Sequence, residues 1–375
     1  MASRADASEL MFASHGDDSF DRSDIFNRKF PIVNFAARGL RPLAACVLAL
    51  GICSADPEKV GLQSTAHAQT RTFEAWLQNF RSAALAASIS PATVDSALTG
   101  LTPIEEVIER DRTQPEFTLD FRTYLARVVS QGRIEEGQRM LAEHGELLRS
   151  VGKRYGMPPE LLAAVWGIES NYGRTQGNFG VVQALATLAY DGRRASMFRS
   201  ELLNALRILD QGHVEIGAMK GSWAGAMGQL QFMPTTFLTY AKDGDGDGRK
   251  DIWGSAADAL ESAANYMSSN WQPGLRWGRQ VSVRPTFNLS LAGVNRTRTL
   301  AQWQALGVRL PGGEALPRDN VRASIIFPDN GARDPAFLVY QNYRVLLRWN
   351  RSNFFALAVG HLADRLAGGP PLAGF

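Results

Sequence analysis

Helical periodicity is the feature that most constrains how this chain folds. Beginning at Phe73, apolar residues recur at the i, i+3, i+4, i+7 spacing of an amphipathic helix, at Trp76, Leu77 and Phe80. Proline and glycine break the following segment into short pieces, and a helical pattern resumes over residues 121–143. The sequence therefore predicts a mainly α-helical fold.

A change of composition after Gly278 indicates a second, smaller region. Strand-like pieces at residues 281–283 and 324–327 are separated by proline and glycine. A final helical pattern over residues 354–366 returns to the character of the main body. We expect a small mixed α/β lobe beside a helical core.

The first part of the chain has the pattern of an export signal. Residues 43–53 form an apolar stretch that follows two arginines and is too short to span a bilayer. The tripeptide Ala66-His67-Ala68 offers the small residues that a signal peptidase accepts. We predict that residues 1–68 are removed and that the mature protein is exported to the periplasm. Two alternatives stay open: an ordinary buried helix, and lipidation at Cys46 with association to a membrane.

Composition excludes several classes of protein. The net charge is +3, and lysine and arginine are scattered instead of clustered, so we expect no nucleic-acid partner. Both cysteines, Cys46 and Cys53, lie in the predicted leader, and no Gly-x-Ser-x-Gly elbow is present, which argues against cysteine and serine hydrolases. His144, His213 and His361 lack the paired spacing of a zinc site.

Glu169 is the residue whose setting best fits glycan chemistry. A helix is predicted to begin at the prolines near residue 158 and to stop at Gly173. On that helix the Glu169 carboxyl lies one turn after Val165 and Trp166, over an apolar face. Desolvation there raises the pKa of a carboxyl and lets it hold a proton near neutral pH, as a general acid must. A solvated or capping glutamate is the alternative from the residues alone.

Two strings, residues 166–173 and 222–234, resemble the membrane-bound lytic transglycosylase B family within the goose-lysozyme-like superfamily. The resemblance continues in order through the segment 184–190, an arginine pair, an aspartate-rich loop and Ala264-Asn265-Tyr266, and covers roughly residues 70–366. It implies a lysozyme-like α-helical catalytic core.

The resemblance also implies roles for individual residues. Glu169 would be the sole acid and base, Ser222 and Gln231 would contact the sugar beside the scissile bond, and Tyr266 would line the cleft. A helix cap is an equal alternative for Ser222. Close helix packing is a second explanation for the glycines between Ser222 and Gln231.

Three further residues match the family at the edge of the cleft. Arg193 and Arg194 resemble its basic pair, which would hold substrate carboxylates, although exposed arginines at a helix start are common. Trp349 stands where the family pattern leads us to expect tyrosine, so an aromatic platform for a sugar is kept and a phenolic hydrogen bond is not.

The implied reaction cleaves peptidoglycan glycan strands at the β-1,4 bond between N-acetylmuramic acid and N-acetylglucosamine. A single glutamate would act with the substrate's N-acetyl group, leave 1,6-anhydromuramic ends and need no catalytic cofactor. Other cell-wall enzymes are candidate partners. Two alternatives stay open: a hydrolytic muramidase on the same fold, and a non-catalytic peptidoglycan-binding protein.

The aspartate-rich loop has the pattern of an EF-hand calcium site. Asp243, Asp245 and Asp247 fall at ligand positions 1, 3 and 5, and the Arg249 carbonyl falls at position 7. Position 12 is glycine instead of glutamate, and the resemblance suggests Asp258 as the replacement ligand. We expect a structural calcium ion, with a solvated acidic turn as one alternative and a helix cap at Asp258 as another.

These observations divide the chain into five parts. They are a removed leader, an N-terminal helical part, a catalytic core that carries the aspartate loop, a minor lobe with a closing helix, and a loose tail, at residues 1–68, 69–145, 146–277, 278–366 and 367–375.

Overall fold

A computed structural model describes residues 73–113, 119–329 and 335–375. The predicted leader and its cleavage site lie outside these residues. The described chain is mainly helical, with two small antiparallel sheets, so the predicted fold class is confirmed. None of its described helices combines the length and apolar character needed to cross a bilayer. The five-part division of the chain stays an interpretation.

The N-terminal half is built of short helices joined by tight connections. Helix α1 covers residues 73–86. It is followed by α2 Pro91–Leu98, α3 Glu105–Thr113, α4 Phe121–Val128, α5 Gln131–Glu143 and α6 Gly145–Tyr155. The pattern that resumes at residue 121 is thus two helices, because Ser130 caps α5 by accepting a hydrogen bond from the Arg133 backbone N–H.

The middle of the chain alternates helices with short strands. Its elements are α7 Pro159–Ser170, β1 Phe179–Gly180, α8 Val181–Asp191, α9 Ala195–Asp210, β2 Lys220–Gly221, a 3₁₀ turn Gly228–Leu230, α10 Pro234–Tyr240 and α11 Ala256–Ser268. Strands β1 and β2 pair antiparallel, with Phe179 opposite Gly221.

The remaining elements form the predicted mixed lobe and the closing helix. They are β3 Gly278–Val281, a 3₁₀ turn Leu289–Leu291, β4 Thr297–Thr299, α12 Leu300–Ala305, β5 Arg322–Ile326, β6 Ala336–Val339, α13 Gln341–Trp349 and α14 Asn353–Leu366.

Helix α7 lies at the centre of the main body. Residues 161–170 are all buried, and α7 packs against α5, α6, α11 and α14. A helix that is apolar on all sides belongs in an interior. At Gly167 an added Cβ would lie 2.5 Å from the Tyr172 ring, so only glycine fits there. The helix ends at Ser170, earlier than the predicted stop at Gly173, because Asn171 already adopts the left-handed conformation.

The four-stranded sheet joins two hydrophobic cores. Its strand order is β3-β6-β5-β4, and all neighbours are antiparallel. Because side chains alternate along a strand, Phe337 and Val339 pack into the main core. Leu338 and its partner Ile325 pack on the other face, with Trp303 of α12. The minor lobe is therefore held to the main body through this sheet.

Candidate active site

The Glu169 carboxyl is buried in the last turn of α7, with 5% of the residue exposed. The indole N–H of Trp349, at the end of α13, donates a hydrogen bond to its Oε1 over 2.5 Å. Burial disfavours the ionised form of a carboxyl. The apolar setting predicted for Glu169 is therefore present, and the partner comes from the far end of the chain.

Aromatic rings fix the position of Trp349. The ring centroids of Phe232 and Tyr266 lie 5.3 Å and 5.0 Å from that of Trp349, and only 1% of Trp349 is exposed. The Tyr266 hydroxyl donates to the Arg348 carbonyl oxygen over 2.7 Å, and burial raises the pKa of Tyr266 to about 12. The structure thus brings Tyr266 and Trp349 together with Glu169, while their contacts with a sugar stay predictions.

Ser222 stabilises the loop that follows β2 through hydrogen bonds between its side chain and the loop backbone. Its hydroxyl oxygen accepts hydrogen bonds from the backbone N–H groups of Ala224 and Ala226, at 3.2 and 3.0 Å. This is a turn and not the helix N-cap that was the alternative. The side chain is buried, and its contact with a sugar stays a prediction.

Gln231 is held in an unusual backbone conformation. Its φ is 52°, in the left-handed region that glutamine rarely adopts, which is the kind of strain found at functional sites. Its Nε2 donates to the carbonyl oxygens of Gln176 and Gly228, at 3.0 and 2.9 Å. At Gly228 an added Cβ would lie 2.7 Å from the Ile252 carbonyl oxygen, so the glycine permits a close approach of two backbones.

Nine buried polar side-chain atoms have no hydrogen-bond partner among the described residues, and three of them are Tyr124 Oη, Gln231 Oε1 and Asn350 Nδ2. Burial raises the pKa of Tyr124, and the charge of Glu169 adds to this effect, which places the two side chains near each other. Asn350 directly follows Trp349. A buried polar group without a partner is costly, and such groups in an active site are commonly satisfied by a ligand.

Sequence reasoning missed Tyr124 and Asn350 as site residues. Tyr124 lies on the buried face of α4, where a tyrosine is typical of core packing. Asn350 directly follows Trp349, to which the family resemblance already pointed, and this position was the available signal.

Arg193 and Arg194 both bind the buried Asp111 of α3. Arg193 makes a two-pronged contact through Nε and Nη2, at 2.6 and 2.8 Å, and Arg194 binds Oδ1. Burial acts to raise the pKa of Asp111, but the two arginines outweigh it and hold that pKa below its usual value. The pair thus has a structural partner, and its predicted contact with substrate carboxylates stays a prediction.

The other buried carboxylates of the described chain have partners of a structural kind. Asp111 binds the arginine pair, Glu201 accepts from the Thr235 N–H, and Glu261 binds Arg154 and Tyr155. The last one, Asp258, belongs to the aspartate loop. Glu169 is distinguished from them by the Trp349 indole N–H that it accepts and by its proximity to Tyr124, whose hydroxyl has no hydrogen-bond partner in the described chain.

The aspartate loop brings three carboxylates together. One oxygen each of Asp243, Asp245 and Asp258 lie within 4.8 Å of one another. Calcium ligands lie about 2.3–2.6 Å from the ion, so oxygens at this mutual spacing can share one ion. Asp247 lies outside this group, and its carboxylate accepts from the Arg249 N–H. The roles of Asp247 and of the Arg249 carbonyl as ligands stay predictions.

Asp258 shows why a cation fits the loop. Ser255 caps α11 by accepting from the Asp258 N–H, while the Asp258 carboxylate turns away and accepts from the N–H groups of Gly244 and Asp251. The residue is fully buried, and burial foremost, followed by the charge of Asp245, raises its pKa above the usual value. The helix cap given as the alternative for Asp258 is therefore present through its backbone N–H, and its carboxylate faces the loop, while its role as a calcium ligand stays a prediction.

The fold and the site are of the lysozyme-like kind. The family described as "Transglycosylase SLT domain" matches residues 72–364, and the chain belongs to this family. Membrane-bound lytic murein transglycosylase B of Escherichia coli K12 is 30% identical over 249 residues, which are 65% of this chain and 66% of that protein. The chain thus spans about two thirds of the length of this curated relative.

Solved structures of similar proteins belong to the same class of enzyme. SltB3 from Pseudomonas aeruginosa, in complex with NAG-anhNAM-pentapeptide, is 46% identical over 81% of each chain, with a TM-score of 0.78. Slt35 of Escherichia coli, in complex with calcium, is 26% identical over 78% of this chain and 92% of that one, with a TM-score of 0.67. These matches confirm the predicted family and class of enzyme, a peptidoglycan lytic transglycosylase.

Proposed function

We propose that Glu169 is the single acid and base in the cleavage of peptidoglycan glycan strands, at the bond between N-acetylmuramic acid and N-acetylglucosamine. The observation that carries this proposal is the buried carboxyl at the end of α7, held by the Trp349 indole N–H and close to Tyr124, whose hydroxyl has no hydrogen-bond partner in the described chain. A desolvated carboxyl is suited to carry a proton.

Because Glu169 is the only carboxyl in the proposed mechanism, it acts first as the acid and then as the base. Protonated Glu169 gives its proton to the bridging oxygen as the bond to C1 breaks, and the N-acetyl carbonyl oxygen of the same sugar stabilises the positive charge at C1. The Glu169 carboxylate then takes the proton of the C6 hydroxyl, and that oxygen bonds to C1. The product has a 1,6-anhydro end, the carboxyl is protonated again, and no water is consumed.

The unsatisfied atoms supply positions for the substrate. Asn350 Nδ2 and the Tyr124 hydroxyl are donors, which suits a carbonyl oxygen such as that of the N-acetyl group, and Gln231 Oε1 is an acceptor, which suits a sugar hydroxyl or amide N–H. Groups already fixed by packing bind a reacting sugar without a large cost of reorganisation.

We infer that the aspartate loop holds a structural calcium ion. The support is the convergence of Asp243, Asp245 and Asp258 and the burial of Asp258, together with the calcium complex of the Escherichia coli relative. The ion would neutralise the carboxylates and fix the loop that leads into α11. It has no step in the reaction, which needs no cofactor.

We also propose that the protein acts outside the cytoplasm, in the periplasm, after removal of residues 1–68. The substrate class requires this location, and a relative is described as membrane-bound. Mass analysis of the N-terminus of protein from an expressing cell tests the proposal. A start at Gln69 is expected, and an intact N-terminus in the cytosol contradicts it.

The product ends test the reaction itself. Purified sacculi are digested, and the released fragments are weighed. Ends lighter by one water than hydrolysed ends are expected. Hydrated ends would instead identify a muramidase, and no release from several peptidoglycans would identify a binding protein.

A further inference from the structure

The C-terminal tail, residues 367–375, joins two parts of the molecule. On one side, Gln280 of the edge strand β3 pairs with the backbone of Ala373. The Gln280 Nε2 donates to the carbonyl oxygen over 3.0 Å, and its Oε1 accepts from the N–H over 2.8 Å. On the other side, the Arg122 guanidinium donates to the Gly374 carbonyl oxygen. The tail thus links the minor lobe to the first turn of α4.

The ring of Phe375 packs on the same turn of α4. Its centroid lies 6.0 Å from that of Phe121, edge to face, and the Arg122 guanidinium lies 4.2 Å from the Phe375 centroid. Phe121 is fully buried, whereas 40% of Phe375 is exposed, so Phe375 is the outer cover of Phe121. Edge-to-face and cation–π contacts favour particular geometries, and together they restrict how this turn can sit.

This helix also carries a residue of the active site. Phe121 and Tyr124 lie one turn apart on the buried face of α4, and both pack on Phe354 of α14, with ring centroids 5.3 and 5.5 Å away. Burial foremost, and then the charge of Glu169, raises the pKa of Tyr124, which places these two side chains near each other. Because the Tyr124 hydroxyl has no hydrogen-bond partner in the described chain, its position depends on how α4 packs.

We propose that the tail is a strap that holds α4 in place and thereby positions the Tyr124 hydroxyl for the reaction at Glu169. This inference rests on the proposed function, in which that hydroxyl donates to the substrate. Phe375 is a positioning residue that acts through Tyr124. When the strap is released, the first turn of α4 samples more orientations, and the hydroxyl is less often where the reacting sugar needs it. Such a loss of alignment lowers kcat more than it changes KM.

The test is a double-mutant cycle between Phe375 and Tyr124, with kcat measured on purified sacculi. Phe375→Ala removes both ring contacts with α4, and we expect kcat to fall about three- to tenfold, a part of what two such contacts contribute. In a Tyr124→Phe background, which lacks the hydroxyl, the same substitution should change kcat by less than about twofold. Phe375→Tyr keeps the ring and should keep the wild-type kcat.

Leu306→Ala is the matched control. Leu306 is a large apolar side chain of similar exposure, 42%, but it lies in the minor lobe at the end of α12. Its removal should leave kcat unchanged in both backgrounds. Melting curves show that every variant is folded at the assay temperature. Loss of one hydrogen-bond donor costs at most about 10³-fold, so turnover of Tyr124→Phe can be followed in long digestions.

Three outcomes overturn the strap and leave the assignment of Glu169 standing. They are an unchanged kcat in Phe375→Ala, an equal loss of kcat in both backgrounds, and a wild-type kcat in Tyr124→Phe, since the strap would then have nothing to position. Failure of the proposed function is recognised by other results, either hydrated product ends or full activity of Glu169→Gln.

Discussion

The indole N–H of Trp349 donates to the Glu169 carboxylate across 180 residues of sequence. Helix α7 supplies the carboxyl, and α13, which follows the last strand of the minor lobe, supplies the donor. Because both side chains are buried, water does not compete for this hydrogen bond. The orientation of the Glu169 carboxyl therefore depends on how the C-terminal segment packs on the core.

Replacing Trp349 by phenylalanine tests this dependence. Trp349→Phe keeps an aromatic ring and removes the N–H, and hydrogen bonds to a charged group contribute about 1.5–3 kcal/mol. We expect kcat on sacculi to fall by roughly tenfold or more, with a smaller change in KM, since a misplaced acid affects the reaction step.

Trp303→Phe is the matched control. Trp303 is another buried tryptophan whose N–H has a protein acceptor, the Ala323 carbonyl oxygen at 2.9 Å, but it lies in the core of the minor lobe. It should lower stability and leave kcat within about twofold, because Trp303 packs in the core of the minor lobe, apart from the core around α7. Equal kcat losses in the two variants would contradict a specific role for Trp349.

Local features of the site could be predicted from the sequence, and contacts over long separations could not. The apolar helix around Glu169 and the loop glycines follow from periodicity and motif. The donor to Glu169 does not, because nothing in the pattern around Trp349 specifies which carboxyl its N–H meets.

In the aspartate loop, too, the sequence pattern predicted the local spacing of residues but not which groups meet. Ligand spacing located Asp243 and Asp245, but it could not distinguish a cap from a ligand at Asp258. The structure shows that the backbone N–H of Asp258 meets the Ser255 cap while its carboxylate faces the loop, so the cap leaves the carboxylate free for the predicted role as a ligand.

Calcium should stabilise the folded protein. An ion that binds only the native state adds about 2.7 kcal/mol at a hundredfold excess over Kd. We expect a chelator to lower Tm and added calcium to restore it, while Asp258→Asn removes the response. Asp319→Asn, at an exposed aspartate of the minor lobe, keeps the response. If neither the chelator nor added calcium changes Tm, the loop is an acidic turn that binds no calcium.

His361 should make stability depend on pH. Burial, with the charge of Arg365 adding, lowers the pKa of this α14 residue to about 4. In the unfolded chain a histidine has a pKa near 6.5, so between these values the unfolded state binds more protons. Stability therefore falls as pH drops from about 6.5 towards 4, by an amount on the order of 3 kcal/mol.

Chemical unfolding at about pH 7.5, 6.0, 5.0 and 4.5, which spans that window, measures this effect. His361→Gln should lose a large part of the slope, since glutamine does not titrate. An identical slope in wild type and variant would show that other groups cause the dependence.

The arginine pair is expected to matter for stability more than for binding. Asp111→Ala removes a buried partner, but Arg193 is partly exposed and can be hydrated, so the cost should be about 1–3 kcal/mol, below that of a fully buried pair. Arg193→Ala should lower Tm and leave KM unchanged. Arg112→Ala, in an exposed pair with Asp191, is the control with little effect on either. A large rise of KM in Arg193→Ala would instead support the predicted contact with substrate carboxylates.

The measurement that tests the central claim most directly is the activity of Glu169→Gln on purified sacculi beside that of Glu201→Gln. Both variants replace a buried carboxyl by an amide of the same shape, but Glu201 accepts a hydrogen bond from the Thr235 N–H, at a contact between α9 and α10. We predict that Glu169→Gln folds, still binds glycan strands and loses at least about 10²-fold in activity, the lower end of what a positioned general acid contributes. Glu201→Gln should stay active. Wild-type activity in Glu169→Gln would contradict the assignment of Glu169 as the acid and base.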